Sequence, residues 1–324
     1  MESMAIQPQT KADVSSNIVA SHEPMVYEFY EPVTGTMQYI VADPVSKKAV
    51  MIDSVLDFDP IKNHVSTESA DELLAAINDK GYSVERLLET HVHADHLTAS
   101  RYLQKRLLST QSTVPPICIG AGISKVQATM GPRYAVPSDR LADAFDEIFD
   151  AGHVFSIGSL EAKVLSLPGH TPDHIGYMIG SNVFVGDSIF NPDLGSARAD
   201  FPGGSATALW SSMKALLALP SHYKLYTGHD YPAADPHAVT GKKDSRSYAT
   251  VEEHNLSNKH AKIGVQEHEF VKLRTERDGA LGSPRLLHQA LTVNVAGGRF
   301  PTSQDGLTSL LDTPITFSGG YLTC

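Results

Sequence analysis

At 324 residues, with 41% hydrophobic and 19% charged positions, the chain can bury a sizeable core and has the profile of a soluble globular protein. Its 26 Lys and Arg stand against 37 Asp and Glu, and the formal charge of −11 argues against nucleic acid or an anionic membrane surface as partner. Two distant cysteines, Cys118 and Cys324, do not make a disulfide framework, so a reducing compartment and a cytoplasmic location are expected.

In chain order, residues 1–20 carry Pro, Gln, Ser and acids without an apolar run and read as a flexible tail, neither secretory signal nor membrane span. The final "GGYLTC" puts its Cys last and so lacks the form of a prenylation box. From Met25 to Ser54, alternating and apolar runs broken by "EPVTGT" and "DPVSKK" predict an antiparallel meander. Ser69 to Lys80 predicts a helix, with a capping Ser, acids in the first turn, an apolar stripe and a following Gly. The strand "VERLLET" leads into "HVHADH", and a second amphipathic helix is predicted from about Leu97 to Leu107.

Strands recur in "VPPICIG" and "HVFSIGSLEAKVLSLPGHT", with "SDRLADAFDEIF" helical between them. "HIGYMIGSNVFVGDSIF" predicts a hairpin turning at Gly180 and Ser181, Ala206 to Leu219 a helix, and "YKLYTGHDYP" one more strand ending in a polar loop. Beyond about Pro236 the chain turns polar and helical. There His254, His260, His268 and His288 lack ligand spacing and are expected on solvated helix faces. The basic cluster Lys242, Lys243 and Arg246 is too short to offset the acidic balance. Meanders alternating with helices imply an α/β (α+β) fold of packed sheets with helices outside. The expected division is the tail over 1–20, a catalytic domain over 21–235, and an extension over 236–324 that packs on or near the active-site side.

Several strand ends carry the same cargo: His91, His93, Asp95 and His96 after the first, His170 in "PGHT", Asp187 in "VGDS" and His229 in "TGHDY". Loops at one edge of a sheet converge, and imidazoles with carboxylates are ligands of borderline divalent metals. In extended backbone His91 and His93 project to one side, leaving Asp95 and His96 to face a different ion. Seven ligands exceed one tetrahedral zinc and suit two ions about 3.5 to 4 Å apart with one shared carboxylate. Asp53 is expected to fix loops beneath the metals, and His174 to lie behind the ligands. Arg198 and Tyr231 are candidate substrate contacts, a salt-bridged scaffold with Asp200 being the other reading of Arg198 and ordinary packing the other reading of Tyr231. Cys118, inside an apolar strand, reads as a small hydrophobe.

The ungapped HxHxDH pattern at His91, His93, Asp95 and His96 resembles the signature of the metallo-β-lactamase superfamily, and the later motifs extend the resemblance over about residues 25 to 235. It implies an αββα metallo-β-lactamase sandwich with a C-terminal extension. It also implies a first ion on His91, His93 and His170 and a second on Asp95, His96 and His229, with Asp187 bridging. "GSARADFPGGSA" and "GHDYP" resemble the branch that contains persulfide dioxygenases and related hydrolases, glyoxalase II being more distant. A dioxygenase of that branch implies one Fe2+ on His91, His170 and Asp187, with open positions for substrate and O2. Ala199 departs from the branch pattern and implies a site lacking a polar or thiol group there.

The leading expectation is a hydrolase with two Zn2+ per chain, whose metal-bound hydroxide opens a small carbonyl substrate: a lactam, lactone or thioester. Asp95 would orient the hydroxide and Asp187 would link the ions. The alternative is a mononuclear iron dioxygenase acting on glutathione persulfide. A non-catalytic binding protein on the same fold would have shed a ligand, and none is missing. The expected partner is a small-molecule substrate, with no nucleic acid and no membrane, and a homo-oligomer stays open. Pocket shape is assigned to loops such as Met130 to Pro137 and to the extension after Pro236.

Overall fold

The computed structural model describes residues 23–233, 244–303 and 310–311. The expectations for residues 1–20, Lys242, Lys243 and Cys324 lie outside the described residues.

The predicted meander forms as β1 (Met25–Glu31), β2 (Thr36–Ala42) and β3 (Lys48–Ile52), paired antiparallel in succession. β4 (Val55–Asp59) and β5 (His64–Ser66) make a small hairpin beside them, ahead of helix α1 (Glu68–Lys80). β6 (Ser83–Leu88) then pairs parallel to β3, with Ile52 opposite Leu88, so Asp53 and Glu89 leave the sheet at the same edge. β7 (Leu97–Thr98) joins β4 and is followed by α2 (Ser100–Leu107), β8 (Ile117–Gly120), α3 (Ile123–Arg133), α4 (Ser138–Ala142) and β9 (Glu147–Phe149). The first sheet has the order β1-β2-β3-β6-β8-β9.

The second sheet runs in chain order: β10 (Val154–Ile157), β11 (Leu160–Ser166), β12 (Ile175–Ile179), β13 (Asn182–Gly186), β14 (Lys224–Thr227) and β15 (Tyr248–Thr250). Helix α5 (Ala206–Leu217) carries the crossover between the parallel strands β13 and β14. After β15 come α6 (Val251–Ser257), α7 (Glu267–Ala280) and α8 (Leu287–Asn294). Among the described residues no helix is long and apolar enough to cross a membrane.

The layers follow from the alternation of side chains. Along β2, Met37, Tyr39 and Val41 enter a core shared with Val164, Tyr177 and Phe184 of the second sheet. Ile40 and Ala42 turn the other way, onto Leu73 of α1, Leu103 of α2 and Val293 of α8. The outer face of the second sheet, Val183 and Val185, is covered by Leu209 of α5, Val251 of α6 and Phe270 of α7. The result is an αββα sandwich whose β2 is buried at all seven positions because both of its faces are covered. Truncating a fully buried Leu73 to Ala in such a core costs about 2 to 5 kcal/mol.

Two expectations change. The helix predicted over 138–149 shrinks to α4, because Glu147–Phe149 pairs parallel with β8 and its backbone is taken up by that edge. Met130 to Arg133 is the last turn of α3 rather than a loop.

Candidate metal centre

β11, β13 and β14 run in one direction, and the loops at their ends deliver His170, Asp187 and His229 to the loop that follows β6. His91, His170 and Asp187 bring ligand atoms within 4.8 Å of one another, and His93, Asp95 and His96 form a second such group. His229 joins the two, its Nε2 standing 3.2 Å from Asp95 Oδ2 and 3.5 Å from Asp187 Oδ1. All seven residues predicted as ligands therefore meet in one place. Asp95, with 28% of its side chain exposed, is the most open of them.

The donor set fits a cation. His91 Nε2, His93 Nδ1, His96 Nε2 and Asp187 Oδ1 are buried without a hydrogen-bond partner among the described residues. An unpaired buried polar atom costs about 1 to 3 kcal/mol, so four in one cluster would be a large penalty unless a cation took up their lone pairs. One nitrogen each of His170, His91 and His93 is held by the protein. His170 Nδ1 donates to the carbonyl of Arg198 at 2.7 Å, His91 Nδ1 lies 3.0 Å from Thr90 Oγ1, and His93 Nε2 lies 3.1 Å from Asp53 Oδ1 and 3.3 Å from Glu89 Oε2. Such partners fix ring orientation and tautomer.

Burial, reinforced by His93, His174 and His170, holds His91 far below the ordinary histidine range and keeps its lone pair free. Burial also opposes a charge on His93, but Asp53 and Glu89 outweigh it and raise that ring. The same contest at Asp95 goes to His229 and His96, which keep it ionised against burial.

Asp53 lies beneath the cluster, as expected, accepting from the backbone N–H and the hydroxyl of Thr90 at 2.8 Å each. His174 lies behind the ligands. Its Nε2 accepts from the N–H of Asp187 at 3.0 Å, and its ring stacks on His91 with centroids 4.7 Å apart. Gly186, at φ 47°, makes the turn into Asp187; a Cβ there would lie 2.5 Å from Thr90 Oγ1 and 2.9 Å from His174 Nε2. Glu89 escaped the sequence reading although it directly precedes "THVHADH". Its Oε1 takes the hydroxyls of Thr98 and Ser100, which closes the ligand loop at its base.

A cavity of about 370 Å³ opens over Asp95, His170, Asp187 and His229. Of the two candidate substrate contacts, Arg198 is already engaged: it grips both carboxylate oxygens of Asp200 at 2.5 and 2.6 Å and donates to Gly282 O. Tyr231 is exposed on the cavity wall, its ring parallel to that of His229 at 5.9 Å. Ala199 does not face the cavity; it packs with Leu209 and Phe270, so the departure there removes nothing from the wall. The stretch from Met130 to Pro137 does not line the cavity either, and its Gly131, Pro132, Ala135 and Val136 border a separate groove. Arg274, Arg277, Leu281 and Arg285 line it instead.

The C-terminal histidines divide. His268 is exposed and His288 half-buried against the Tyr134 hydroxyl, but His254 and His260 are 1% and 6% exposed. Their expected place on solvated faces is wrong for a physical reason. α6 turns His254 inward beside Val251, and His260 Nδ1 accepts from Ser196 N at 3.0 Å.

Residues 32–229 match the family model described as Metallo-beta-lactamase superfamily, and the chain belongs to that superfamily. Within it, a beta-lactamase hydrolase-like protein of Xylella fastidiosa is 42% identical over 297 residues, which are 91% of this chain and 66% of that protein. The chain thus spans just under two thirds of that relative's length. Glyoxylase B2 of Dictyostelium discoideum is 39% identical over 302 residues, 92% of this chain and 99% of that protein. The human mitochondrial persulfide dioxygenase ETHE1 is 28% identical over 283 residues, 86% of this chain and 91% of that protein. The crystal structure of ETHE1 from Myxococcus xanthus superposes with a TM-score of 0.66 at 25% identity, covering 85% of this chain and 100% of that one.

Proposed function

We propose that the chain is a persulfide dioxygenase that uses one Fe2+ held by His91, His170 and Asp187. The observation that carries this reading is the grouping of those three side chains, two imidazoles and one carboxylate with ligand atoms within 4.8 Å of one another and apart from His93. Two histidines and one carboxylate are a donor set that suits a non-haem Fe2+, which would supply the chemistry that activates O2 toward a persulfide. Per persulfide the reaction takes one O2 and one water and releases the thiol, sulfite and two protons; the terminal sulfur is oxidised and O2 reduced. The likeness to the human persulfide dioxygenase over most of both chains supports it, and the inward-facing Ala199 removes the feature that weighed against it.

The protein's own part is to bind and orient. Arg277 and Arg285 border the cavity and, among the described residues, form no ion pair, so they offer an anionic substrate such as glutathione persulfide two free cations. A compartment that keeps glutathione reduced, such as the cytoplasm, would supply that substrate.

A second reading, the hydrolase with two Zn2+, is favoured by one further observation. His93, Asp95 and His96 form a second donor group with His96 Nε2 left unpaired, and His229 links its Asp95 to Asp187 of the first group. In that case Asp95, open to the cavity, is placed to hold the proton of an attacking water.

Metal analysis of protein made without added metal, paired with an oxygen electrode, separates the two. One iron per chain and O2 uptake that depends on glutathione persulfide are expected. Two zinc ions per chain and anaerobic turnover of a lactam, lactone or thioester would reverse the assignment.

A further inference from the structure

Helix α8 ends on Asn294, a residue 3% exposed and about two hundred positions from the groups it holds. Its Nδ2 donates to the carbonyls of His93 and His96 at 2.9 and 2.8 Å, and its Oδ1 accepts from the N–H of Thr98 at 3.0 Å. One side-chain amide therefore satisfies two carbonyls in the irregular loop between β6 and β7, where neither strand nor helix can pair them, together with the N–H of Thr98 in β7. We propose that Asn294 is a positioning residue of the metal centre. By bridging His93 O, His96 O and Thr98 N it sets the curvature of the ligand loop, and with it the directions of His93 Nδ1 and His96 Nε2. This inference rests on an ion at the second donor set, His93 with Asp95 and His96, and not on the identity of that ion.

The chemistry singles out this residue type. Asn offers two coplanar N–H groups and an acceptor on a short stem; Asp has no donor for the two carbonyls, and Gln would set the amide one methylene farther out. The helix that presents it is fixed independently. Val293, its neighbour, is fully buried in the core under the first sheet with Leu73 and Leu103, away from the loop's hydrogen bonds.

Zn2+ competition against a chromophoric chelator, with thermal melts, tests the proposal on the unaltered chain, Asn294→Ala, Asn294→Asp and Val293→Ala. Partners behind metal ligands are worth about 10- to 100-fold in affinity, so both Asn294 variants should bind Zn2+ more weakly by that factor. Val293→Ala should lower Tm yet keep Zn2+ affinity within about twofold, since it loses only core packing. Equal affinities for Asn294→Ala and Val293→Ala would overturn the proposal, whereas failure of the unaltered chain to bind Zn2+ would remove the metal centre itself. Hydrogen exchange of the unaltered chain decides the matter should the variants not fold. By linkage, Zn2+ should slow exchange over 290–298 as well as 90–98, and protection confined to 90–98 would overturn the role of Asn294.

Discussion

His170 donates from Nδ1 to the carbonyl oxygen of Arg198 at 2.7 Å, so the orientation of this candidate ligand depends on the segment from Ser196 to Asp200 rather than on its own strand. Helix α7 holds that segment from behind. Arg274 Nη1 donates to Ser196 O at 3.0 Å and Ala197 O at 2.6 Å, and Asp278 Oδ2 accepts from Ala199 N at 2.8 Å. Arg274 and Asp278 face each other at 3.0 Å with side chains 2% and 6% exposed.

Breaking a buried pair strands the remaining charge, so Asp278→Ala should cost about 3 to 5 kcal/mol in a urea titration and lower metal content. The double variant Arg274→Met with Asp278→Leu should regain much of the stability, because well-packed apolar residues replace buried ion pairs at little cost. It should not regain metal content, since the backbone of Ser196 to Ala199 loses its anchors. Recovery of both would mean that the segment does not transmit to His170.

Gly186→Ala should be among the most damaging single-methyl changes in the chain. The left-handed φ of 47° is unfavourable for a residue with a Cβ, and that Cβ would collide with Thr90 Oγ1, which Asp53 fixes, and with His174 Nε2, which holds Asp187. A lower melting temperature together with loss of bound metal is the expected outcome. Gly152→Ala, at φ 78° with no atom within 4 Å, should lose stability only, which separates backbone strain from disruption of the site.

The sequence showed the ligands because they are chemically conspicuous and locally spaced: imidazoles and carboxylates are rarely gathered at strand ends without cause. It hid their supports. Asn294 is one amide in an apolar helix, and Arg274 with Asp278 reads as an ordinary i,i+4 surface pair until α7 is seen to turn it inward. What makes these residues matter is a contact across some 80 to 200 positions, which no spacing records. The same holds for Glu147–Phe149: its local signals favoured helix, and only the free edge of β8 makes it a strand.

His229→Ala and His170→Ala discriminate between the two functional readings. His170 belongs to the group with His91 and Asp187, so its loss should abolish metal binding and activity in either case. His229 touches Asp95 and Asp187 but lies outside that group. With a single ion, His229→Ala should keep the bound iron and lower persulfide-dependent O2 uptake by no more than about 10- to 100-fold, the scale of losing a supporting contact. With two ions it should remove the second one and most hydrolysis, which metal analysis would register directly.

Acid stability provides a test away from the metal. His254 accepts a hydrogen bond from Asn258 Nδ2 at 3.1 Å, and burial, followed by Arg246, lowers its pKa to about 4 from an ordinary 6.5. Between those values the unfolded chain takes up a proton that the folded chain refuses. The stability associated with a neutral His254 is therefore complete above about pH 6.5 and declines as pH falls toward 4, by roughly 3 kcal/mol over the whole span. His254→Gln keeps an acceptor for Asn258 but cannot titrate. Urea titrations of metal-free protein from pH 6.5 to 4.5 should give this variant a shallower loss of stability, smaller by close to one proton. Parallel slopes would mean that His254 is charged in the folded chain, and that its burial among Val251, Asn258 and the β15 end of the second sheet is compensated by a group outside this hydrogen-bond network.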